Sequence, residues 1–331
     1  MASATGRDEL NDQWDRRVKR ILLDPRGRDA LKKFGIEVDI ADQKKEEQKP
    51  IVSILCPTYR APEPQMQDSL GQMVQYTRQK DFAVVYSGPP CSASVVHWSR
   101  NWMIAEQLKS GKPWTHILFI DDDIVIEPDT LERLLIHKKD IVAGLCTRRC
   151  DPPVPNIRYF DKESGIAKQV WEWPQGQLID GVYAGTGLML LSQNALEQIG
   201  QAYFDCLWER DFYGLSDERI NKMREVRMAK FDKEKMAYWF RFLPNVAGDE
   251  MGEDMSFCHI AKHYCGLEIY VDTSIMPGHL GSYPFSIRDF MPYRDQCVAM
   301  SKEQGTYKEQ SRILTAEPIN SFHVTYEAEN A

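Results

Sequence analysis

Three consecutive aspartates, Asp121, Asp122 and Asp123, follow the apolar run 116–120. Like charges crowded at the end of a buried strand repel one another and lose hydration unless a positive charge joins them. Mg²⁺ and Mn²⁺ bind in nucleotide enzymes through one or two carboxylates, with water and phosphate oxygens completing the shell. In an extended segment Asp121 and Asp123 would project to one side and Asp122 to the other. The triplet predicts a divalent-cation site; the alternative is a solvated turn in which Asp129 caps the next helix.

The segments around this triplet alternate between strand and helix. Short apolar runs predict buried strands, and the longer segments with spaced apolar residues predict helices. The predicted strands are 51–56, 82–86, 116–120 and 140–145, and the predicted helices are 65–79, 100–110 and 130–138. This alternation predicts an α/β fold with a mainly parallel central sheet flanked by helices. Ligands of such a sheet bind beyond the carboxyl ends of its strands, where the aspartates stand.

Changes in composition divide the chain into four parts. Residues 1–50 are polar and rich in interleaved charges, which predicts an N-terminal helical arm and a linker. Residues 51–145 carry the strand and helix alternation, and residues 146–290 form a second half that begins with a proline-rich stretch. Within that half, charged and aromatic residues at helical spacing predict a helical insertion near 209–242. Residues 291–331 are a C-terminal extension.

Charge and composition restrict the partners. The formal net charge is −8, so no overall basic field attracts nucleic acid or anionic lipid. The charge therefore disfavours duplex nucleic acid as a partner but does not exclude it. No segment approaches the ~20 apolar residues that a membrane span needs. The eight cysteines lack the short spacings of a disulfide framework or a zinc knuckle. These features predict a cytoplasmic protein with reduced thiols.

The aspartate segment resembles that of a known family. Residues 117–126, Ile-Leu-Phe-Ile-Asp-Asp-Asp-Ile-Val-Ile, resemble the DxD segment of GT-A glycosyltransferases, particularly family-2-like members of bacterial and phage type. Residues 52–60, Val-Ser-Ile-Leu-Cys-Pro-Thr-Tyr-Arg, resemble the opening strand and nucleotide-binding loop of that family. The sequence Ser-Arg-Asn at 99–101 is similar to its Ala-Arg-Asn helix start.

Three later segments extend the resemblance. Residues 185–191, Gly-Thr-Gly-Leu-Met-Leu-Leu, are similar to the acceptor-side strand of the family, and residues 252–258, Gly-Glu-Asp-Met-Ser-Phe-Cys, to its Glu-Asp motif before a helix. Residues 277–281, Pro-Gly-His-Leu-Gly, complete the set. Together the segments span residues 51–284 in the order of the family, so the resemblance covers both halves of the chain.

The resemblance implies a GT-A fold in which 51–145 binds the nucleotide-sugar and 146–290 the acceptor. Asp123 would bind Mn²⁺ or Mg²⁺ and bridge it to the diphosphate, with His279 as a further ligand. Asp121 would contact the ribose and contribute to the metal site. The residues implied for nucleotide-sugar binding are Pro57, Thr58, Tyr59, Arg60, Arg100, Asn101, Asp121 and Asp122. The alternative for His279 is a structural histidine that is hydrogen-bonded to the backbone. The alternative for Arg100 is an arginine that pairs with a neighbouring carboxylate.

The Glu-Asp motif supplies the catalytic candidates. Asp254 corresponds to the general base of inverting members, which takes the proton of the acceptor hydroxyl, and Glu253 is its rival. Negative side chains in the first turn of a helix also suit the helix dipole, so a structural role is the alternative, and both roles are compatible.

The expected function is a metal-dependent, hexosyltransferase-like glycosyltransferase that moves a sugar from a nucleotide-sugar, with a UDP-sugar favoured, to an acceptor hydroxyl with inversion. A glycan, a modified nucleobase or a protein stays open as the acceptor. The alternatives are a metal-dependent phosphohydrolase or nucleotidyltransferase, and a catalytically silent nucleotide-sugar-binding protein. Arg148 and Arg149 could reach phosphate or form ordinary surface pairs. Tyr59, Trp98, Trp171 and Trp173 are candidates for stacking on a base or sugar, or for the core.

Overall fold

The computed structural model describes residues 49–59, 61–150, 152–163, 166–204, 216–219, 221–222, 225, 239–240, 243–244, 250–281, 286–303 and 316–318. The predicted arm 1–50, apart from its last two residues, lies outside the described residues, as do Arg60 and most of the predicted insertion 209–242. From Lys49 onward the chain forms one compact unit.

An eight-stranded sheet lies at the centre of this unit. Its strands are β1 (Ile51–Leu55), β2 (Val84–Ser87), β3 (His116–Ile120), β4 (Ile141–Gly144), β5 (Gln177–Ile179), β6 (Leu188–Ser192), β7 (Tyr270–Asp272) and β8 (Ala316–Pro318). Their order across the sheet is β2-β1-β3-β6-β4-β7-β5-β8. The four strands predicted from apolar runs correspond to β1 to β4.

Six of the eight strands run in the same direction. β1 is parallel to β2 and β3, and β7 is parallel to β4. β6 lies antiparallel between β3 and β4, and β5 lies antiparallel between β7 and β8. The mixed α/β prediction with a mainly parallel sheet is confirmed in strand direction. The two reversed strands were not predicted, because a strand buried on both faces gives the same apolar run in either direction.

The strands of the two predicted halves alternate in this sheet. β6 and β7 come from the range 146–290, yet they flank β4 from the range 51–145. β8 comes from the predicted C-terminal extension and pairs with β5 at one edge. The parts inferred from composition therefore build one sheet rather than separate cores.

Seven α-helices with described bounds accompany the sheet. They are α1 (Pro64–Lys80), α2 (Val96–Lys109), α3 (Thr130–Ile136), α4 (Gln193–Phe204), α5 (Glu253–Cys265), α6 (Ile287–Phe290) and α7 (Arg294–Glu303). The 3₁₀ turn Met291–Tyr293 joins the last two. α2 begins four residues before the predicted start at Arg100, so this arginine lies inside the helix. α5 ends at Gly266 with φ 66°, a left-handed conformation that glycine adopts without a Cβ clash.

The alternation of side chains along β3 separates two hydrophobic cores. Ile117 and Phe119 belong to one buried cluster, and Leu118 and Ile120 to the other. Successive side chains of a strand point to opposite faces, so the two clusters lie on the two sides of the sheet. Burial on both faces holds β3 rigidly, and its carboxyl end at Ile120 fixes where the aspartates begin.

Several short strand pairs extend beyond the central sheet. Pro57–Thr58 pairs with Cys91–Ser92, Ile124–Val125 with Gly278–His279, Thr147–Arg148 with Val154–Pro155, and Leu243–Pro244 with Glu250–Met251. Ile157–Asp161 is the central strand of a three-stranded sheet with Ile166–Gln169 and Tyr183–Ala184. Three of these pairs carry residues of the candidate site. Across the described ranges, no helix is both long and apolar enough to cross a membrane.

The buried His259 on α5, which lies beside the exposed His263, makes stability depend on pH. The Tyr183 hydroxyl lies 3.0 Å from His259 Nδ1 and 2.9 Å from His263 Nε2. Burial lowers the pKa of His259 to about 4, and the charge of His263 adds to this effect. Partial burial also lowers the pKa of His263, and Lys262 adds to that decrease while Glu268 opposes it. The folded protein thus resists a proton that the unfolded chain takes up near pH 6.5.

We expect the free energy of unfolding to fall as the pH drops from about 6.5 to 4, by about 3 kcal/mol from His259 alone. The sign follows because the unfolded state binds more protons in this window. Denaturant unfolding at several pH values measures it, and His259→Gln should flatten the profile. An equally steep profile in the variant would assign the acid sensitivity to other groups.

Candidate functional site

The aspartate triplet forms a turn at the carboxyl end of β3. The Asp121 amide donates a hydrogen bond to the carbonyl oxygen of Gly187, the residue before β6, at 2.9 Å. The Ile124 amide donates to Asp121 O at 3.2 Å and closes the turn. The expectation that Asp121 and Asp123 project to the same side was wrong, because it assumed an extended segment. Residues 121–124 form a turn, in which side chains two positions apart do not share one side. Each of the three carboxylates therefore has its own partners.

Asp121 belongs to a cluster organised by one buried arginine, which we call the arginine cluster: Arg100, Asp121, Glu253 and Asp254. Arg100 is 2% exposed. Its Nη2 lies 2.9 Å from Asp121 Oδ1, and its Nη1 lies 3.0 Å from Asp254 Oδ1 and 3.4 Å from Glu253 Oε1. The guanidinium also lies 5.5 Å from the ring centre of Phe240. The structure thus shows the carboxylate pairing that the sequence left as the alternative for Arg100.

Asp254 is held by one oxygen. Its Oδ1 accepts hydrogen bonds from Arg100 and from the Thr186 hydroxyl. Its Oδ2 has no donor among the residues that the structure describes, and the side chain is 23% exposed. Asp254 lies in the first turn of α5, where the helix dipole favours a negative charge. A carboxylate fixed at one oxygen and open at the other has the geometry that a general base requires.

The other two carboxyls of the cluster favour protonation more than usual. Burial raises the pKa of Glu253, and the charge of Asp254 adds to the increase, while Arg100 opposes it. Burial also raises the pKa of Asp121 against the opposing effect of Arg100. Arg100 carries one positive charge against three partly buried carboxylates, whose side chains are 17–27% exposed, so the carboxylates compete for it.

Asp123 lies beside His279 in a second group, which we call the Asp123–His279 pair. Pairing of Ile124–Val125 with Gly278–His279 brings the two residues together, and the Leu280 amide donates to Asp123 O at 2.8 Å. Asp123 Oδ1 lies 3.2 Å from His279 Nε2. On the far side of the ring, His279 Nδ1 lies 2.7 Å from Thr147 O.

These contacts determine which nitrogen of the His279 ring carries a proton. A carbonyl oxygen only accepts, so Nδ1 must carry a proton and donate to Thr147. In a neutral imidazole, Nε2 then presents its lone pair to a carboxylate oxygen, an arrangement that requires a cation or a second proton between them. Burial opposes that proton, but the hydrogen bond to Asp123 raises the pKa of His279 above its usual range. The same contact and the charge of Arg149 outweigh burial and lower the pKa of Asp123.

The donor set of the pair suits a divalent cation that shares its shell with a ligand. A carboxylate and an imidazole oriented by a backbone carbonyl are a usual combination for Mn²⁺. In the part of the chain that is described, no group of three His, Cys, Asp or Glu side chains could hold a metal ion. Asp121, expected as a further metal ligand, is turned to Arg100 instead. Water and phosphate oxygens would have to complete the shell, as they do for Mg²⁺ in nucleotide enzymes.

The loop after β1 lies against Asp122. Pro57–Thr58 pairs with Cys91–Ser92, and the Thr58 hydroxyl donates to Cys91 O at 3.2 Å. The Tyr59 amide donates to Asp122 Oδ2 at 3.3 Å, and the Tyr59 ring is 63% exposed. Asp122 therefore ties the predicted nucleotide-binding loop to the triplet, and Tyr59 lies exposed beside it.

Asn101 has a different role from the one expected. Its side-chain amide donates to Phe240 O at 2.7 Å, and its Oδ1 accepts from the amides of Trp239 and Phe240 at 2.8 and 2.9 Å. The side chain is buried, and these backbone contacts occupy both ends of the amide. Asn101 thus supports Phe240, which packs against Arg100, and we do not assign it to the ligand.

Thr186, Thr147 and Arg149 complete the site; the two threonines were not singled out from the sequence, whereas Arg149 was named there as a phosphate contact or a surface pair. A Cβ at Gly185 would meet Asn156 Nδ2 at 1.9 Å, so a larger residue next to Thr186 would displace the Asn156 side chain. This glycine-flanked threonine was a usable signal, although the segment indicated only a strand. Of the four aromatic candidates, Trp171 and Trp173 stack on Phe290 at 6.1 and 5.7 Å between ring centres. Trp98 is exposed.

Comparison with protein-family models and with curated proteins gave no match. Among solved structures, the chain is similar to A197 from STIV, with a TM-score of 0.35 and 15% identity over 70% of this chain and 85% of that one. It is similar to a glycosyltransferase involved in glycosylation of the major capsid of PBCV-1, with a TM-score of 0.28 and 11% identity over 48% and 67%. It is also similar to glucosyl-3-phosphoglycerate synthase from Mycobacterium tuberculosis in complex with Mn²⁺, UDP and phosphoglyceric acid, with a TM-score of 0.26 and 12% identity over 63% and 88%. At TM-scores this low the likeness assigns neither a ligand nor an activity to this chain.

Proposed function

We propose that this chain is a metal-dependent glycosyltransferase with a GT-A-type fold, which transfers a sugar from a nucleotide-sugar, preferably a UDP-sugar, to an acceptor hydroxyl. One observation carries the proposal: an Asp–His pair with metal-ligand chemistry and a carboxylate open at one oxygen meet at the same end of one sheet. Asp123 belongs to the first, Asp254 to the second, and Asp121 and Arg100 connect them. Glycosyl transfer needs one site that stabilises the charged leaving group and a second that accepts the proton of the acceptor hydroxyl.

The residues divide the reaction between them. Asp123 and His279 would hold a divalent cation, and a bound cation would supply the positive charge that stabilises a diphosphate leaving group. Asp254 Oδ2 accepts the proton of the acceptor hydroxyl while the oxygen attacks the anomeric carbon. The new bond joins that oxygen to the anomeric carbon, the bond to the diphosphate breaks, and the nucleoside diphosphate leaves with the electron pair. A single displacement of this kind inverts the anomeric configuration.

Arg100 and Thr186 position the base. They occupy Asp254 Oδ1, so the open oxygen has a fixed direction. Tyr59 offers an exposed ring near the triplet for stacking on the nucleobase. The loop residues Pro57 and Thr58 would contribute backbone contacts, since the Thr58 hydroxyl is used within the loop.

Calorimetry of UDP with and without Mn²⁺ tests the metal assignment. We expect the wild-type protein to bind UDP only with the metal, and Asp123→Ala to lose affinity by at least about 10–100-fold, the range that even outer-sphere changes at metal sites produce. Asp129→Ala is the matched control, because it removes a half-exposed aspartate that pairs only with Arg133 among the described residues. Equal UDP affinity in EDTA would exclude a metal-bridged diphosphate.

A panel of sugar nucleotides with Mn²⁺ separates the activities. Transfer predicts that release of nucleoside diphosphate depends on an acceptor. A phosphohydrolase would release phosphate from simple phosphoesters, and a silent binding protein would release nothing from any donor. Either result would overturn the proposed activity while leaving the metal assignment to calorimetry.

A further inference from the structure

Arg149 occupies the second oxygen of the candidate metal ligand. Its Nη1 lies 2.7 Å from Asp123 Oδ2 and 3.4 Å from Leu280 O. Its side chain is 51% exposed, in contrast to the buried Arg100, and it takes no part in the arginine cluster. One oxygen of Asp123 thus faces His279, and the other faces the guanidinium of Arg149, which is on a long and half-exposed side chain.

This arrangement places two cations in competition for one carboxylate. Arginine does not lose its proton in proteins, so the guanidinium keeps its charge whether or not a metal is present. A divalent cation bound to Asp123 repels that charge and draws on the same carboxylate, so it weakens the contact between Arg149 and Asp123. Because the side chain is long and half exposed, Arg149 can leave Asp123 without losing a packed core.

The destination of the guanidinium follows from what accompanies the cation. A diphosphate brings oxygens to the metal, and the planar fork of arginine matches phosphate through two parallel hydrogen bonds. The backbone of the segment is anchored nearby, since Thr147 O accepts from His279 Nδ1 and Thr147–Arg148 pairs with Val154–Pro155. Only the side chain of Arg149 therefore has to turn.

We propose that Arg149 exchanges partners during donor binding: it neutralises Asp123 in the metal-free protein and binds the diphosphate once a divalent cation takes its place on that carboxylate. This inference rests on the proposed function, because it requires the Asp123–His279 pair to hold the cation. It makes Arg149 a donor-binding residue whose effects on metal affinity and on nucleotide affinity have opposite signs. A residue that merely stabilised the loop would not show this reversal.

Two binding measurements on Arg149→Gln test the exchange. Mn²⁺ alone should bind about two- to fivefold more tightly than to the wild type, the size expected for losing a half-exposed ion-pair competitor. UDP at saturating Mn²⁺ should bind about ten- to a hundredfold more weakly, because charge-assisted hydrogen bonds to phosphate are lost. Calorimetry gives both affinities, and the unfolding temperature shows that the variant is folded.

Arg148→Gln is the matched control, because it removes the same charge one residue earlier on an exposed side chain, and both affinities should stay at their wild-type values. Arg149→Lys keeps the charge without the fork and should recover only part of the UDP affinity. Weaker Mn²⁺ binding in Arg149→Gln, or unchanged UDP affinity, would overturn the exchange while leaving the metal site intact. Absence of Mn²⁺ binding to the wild type would overturn the metal site and the exchange together.

Discussion

Asp254→Asn should lower kcat by about 10²–10⁴-fold, the contribution of a positioned general base, and leave Mn²⁺ and UDP binding unchanged. The substitution is nearly isosteric, and the amide oxygen can still accept from Arg100 and Thr186, which hold Oδ1 in the wild type. The open position then carries an amide group that cannot take a proton. Release of nucleoside diphosphate at saturating donor and acceptor measures the loss, and calorimetry shows that binding persists.

Glu253→Gln is the matched control one residue earlier in the same helix. Glu253 Oε1 lies 3.4 Å from Arg100, the longest of the three carboxylate contacts, so the amide loses the weakest ion pair of the cluster. We expect little change in kcat and a stability cost of about 1 kcal/mol or less from the helix dipole. The reverse ranking of the two variants would move the base to Glu253.

Because a single displacement inverts the anomeric centre, NMR of the product should show inversion, and retention would leave Asp254 as a positioning residue.

The elements that carry the site were predictable because their signals are local. The apolar run before the triplet predicted β3 with both of its bounds, and the run 140–145 predicted β4 to within one residue at each end. Burial on both faces makes such runs continuous, which distinguishes them from the surrounding helices. The same property hid the direction of β6, so the antiparallel strand between β3 and β4 emerged only from the structure.

The grouping of the site residues depends on contacts that local patterns do not encode. Arg100 meets Asp254 across 154 positions of sequence and Asp121 across 21. The sequence singled out all three, but only the fold shows that one guanidinium joins them. The same holds for Asn101, whose partners Trp239 and Phe240 lie in the range 209–242, where the sequence indicated an insertion. The turn at Asp121 also depends on tertiary structure, since its amide bonds to Gly187.

The arginine cluster predicts a large loss of stability when its cation is removed. Arg100→Met keeps much of the side-chain volume but leaves Asp121, Glu253 and Asp254 without their shared partner. Breaking a buried ion pair by removing one member typically costs about 3–5 kcal/mol, because the remaining charges stay desolvated. We therefore expect a loss of this size in the free energy of unfolding from denaturant titration at neutral pH.

The same substitution should change the pH dependence of the reaction. Without the guanidinium, neighbouring carboxylates favour their protonated forms, so the pH below which kcat/KM falls should move upward. Arg100→Lys keeps a charge but not the fork that reaches three carboxyls, and it should fall between wild type and Arg100→Met in both measurements. The lysine variant also keeps the test available if the methionine variant does not fold.

Lys109→Met is the matched control on the same helix. Lys109 pairs with Glu106 at 2.6 Å, and both side chains are a third exposed, so its removal should cost about 0–1 kcal/mol and leave the pH profile in place. Equal stability losses in Arg100→Met and Lys109→Met would contradict a central role for Arg100 in the fold. A large loss of stability with an unshifted pH profile would mean that Arg100 supports packing against Phe240 and does not tune the base. Only the two changes together connect the buried cation to the chemistry at Asp254.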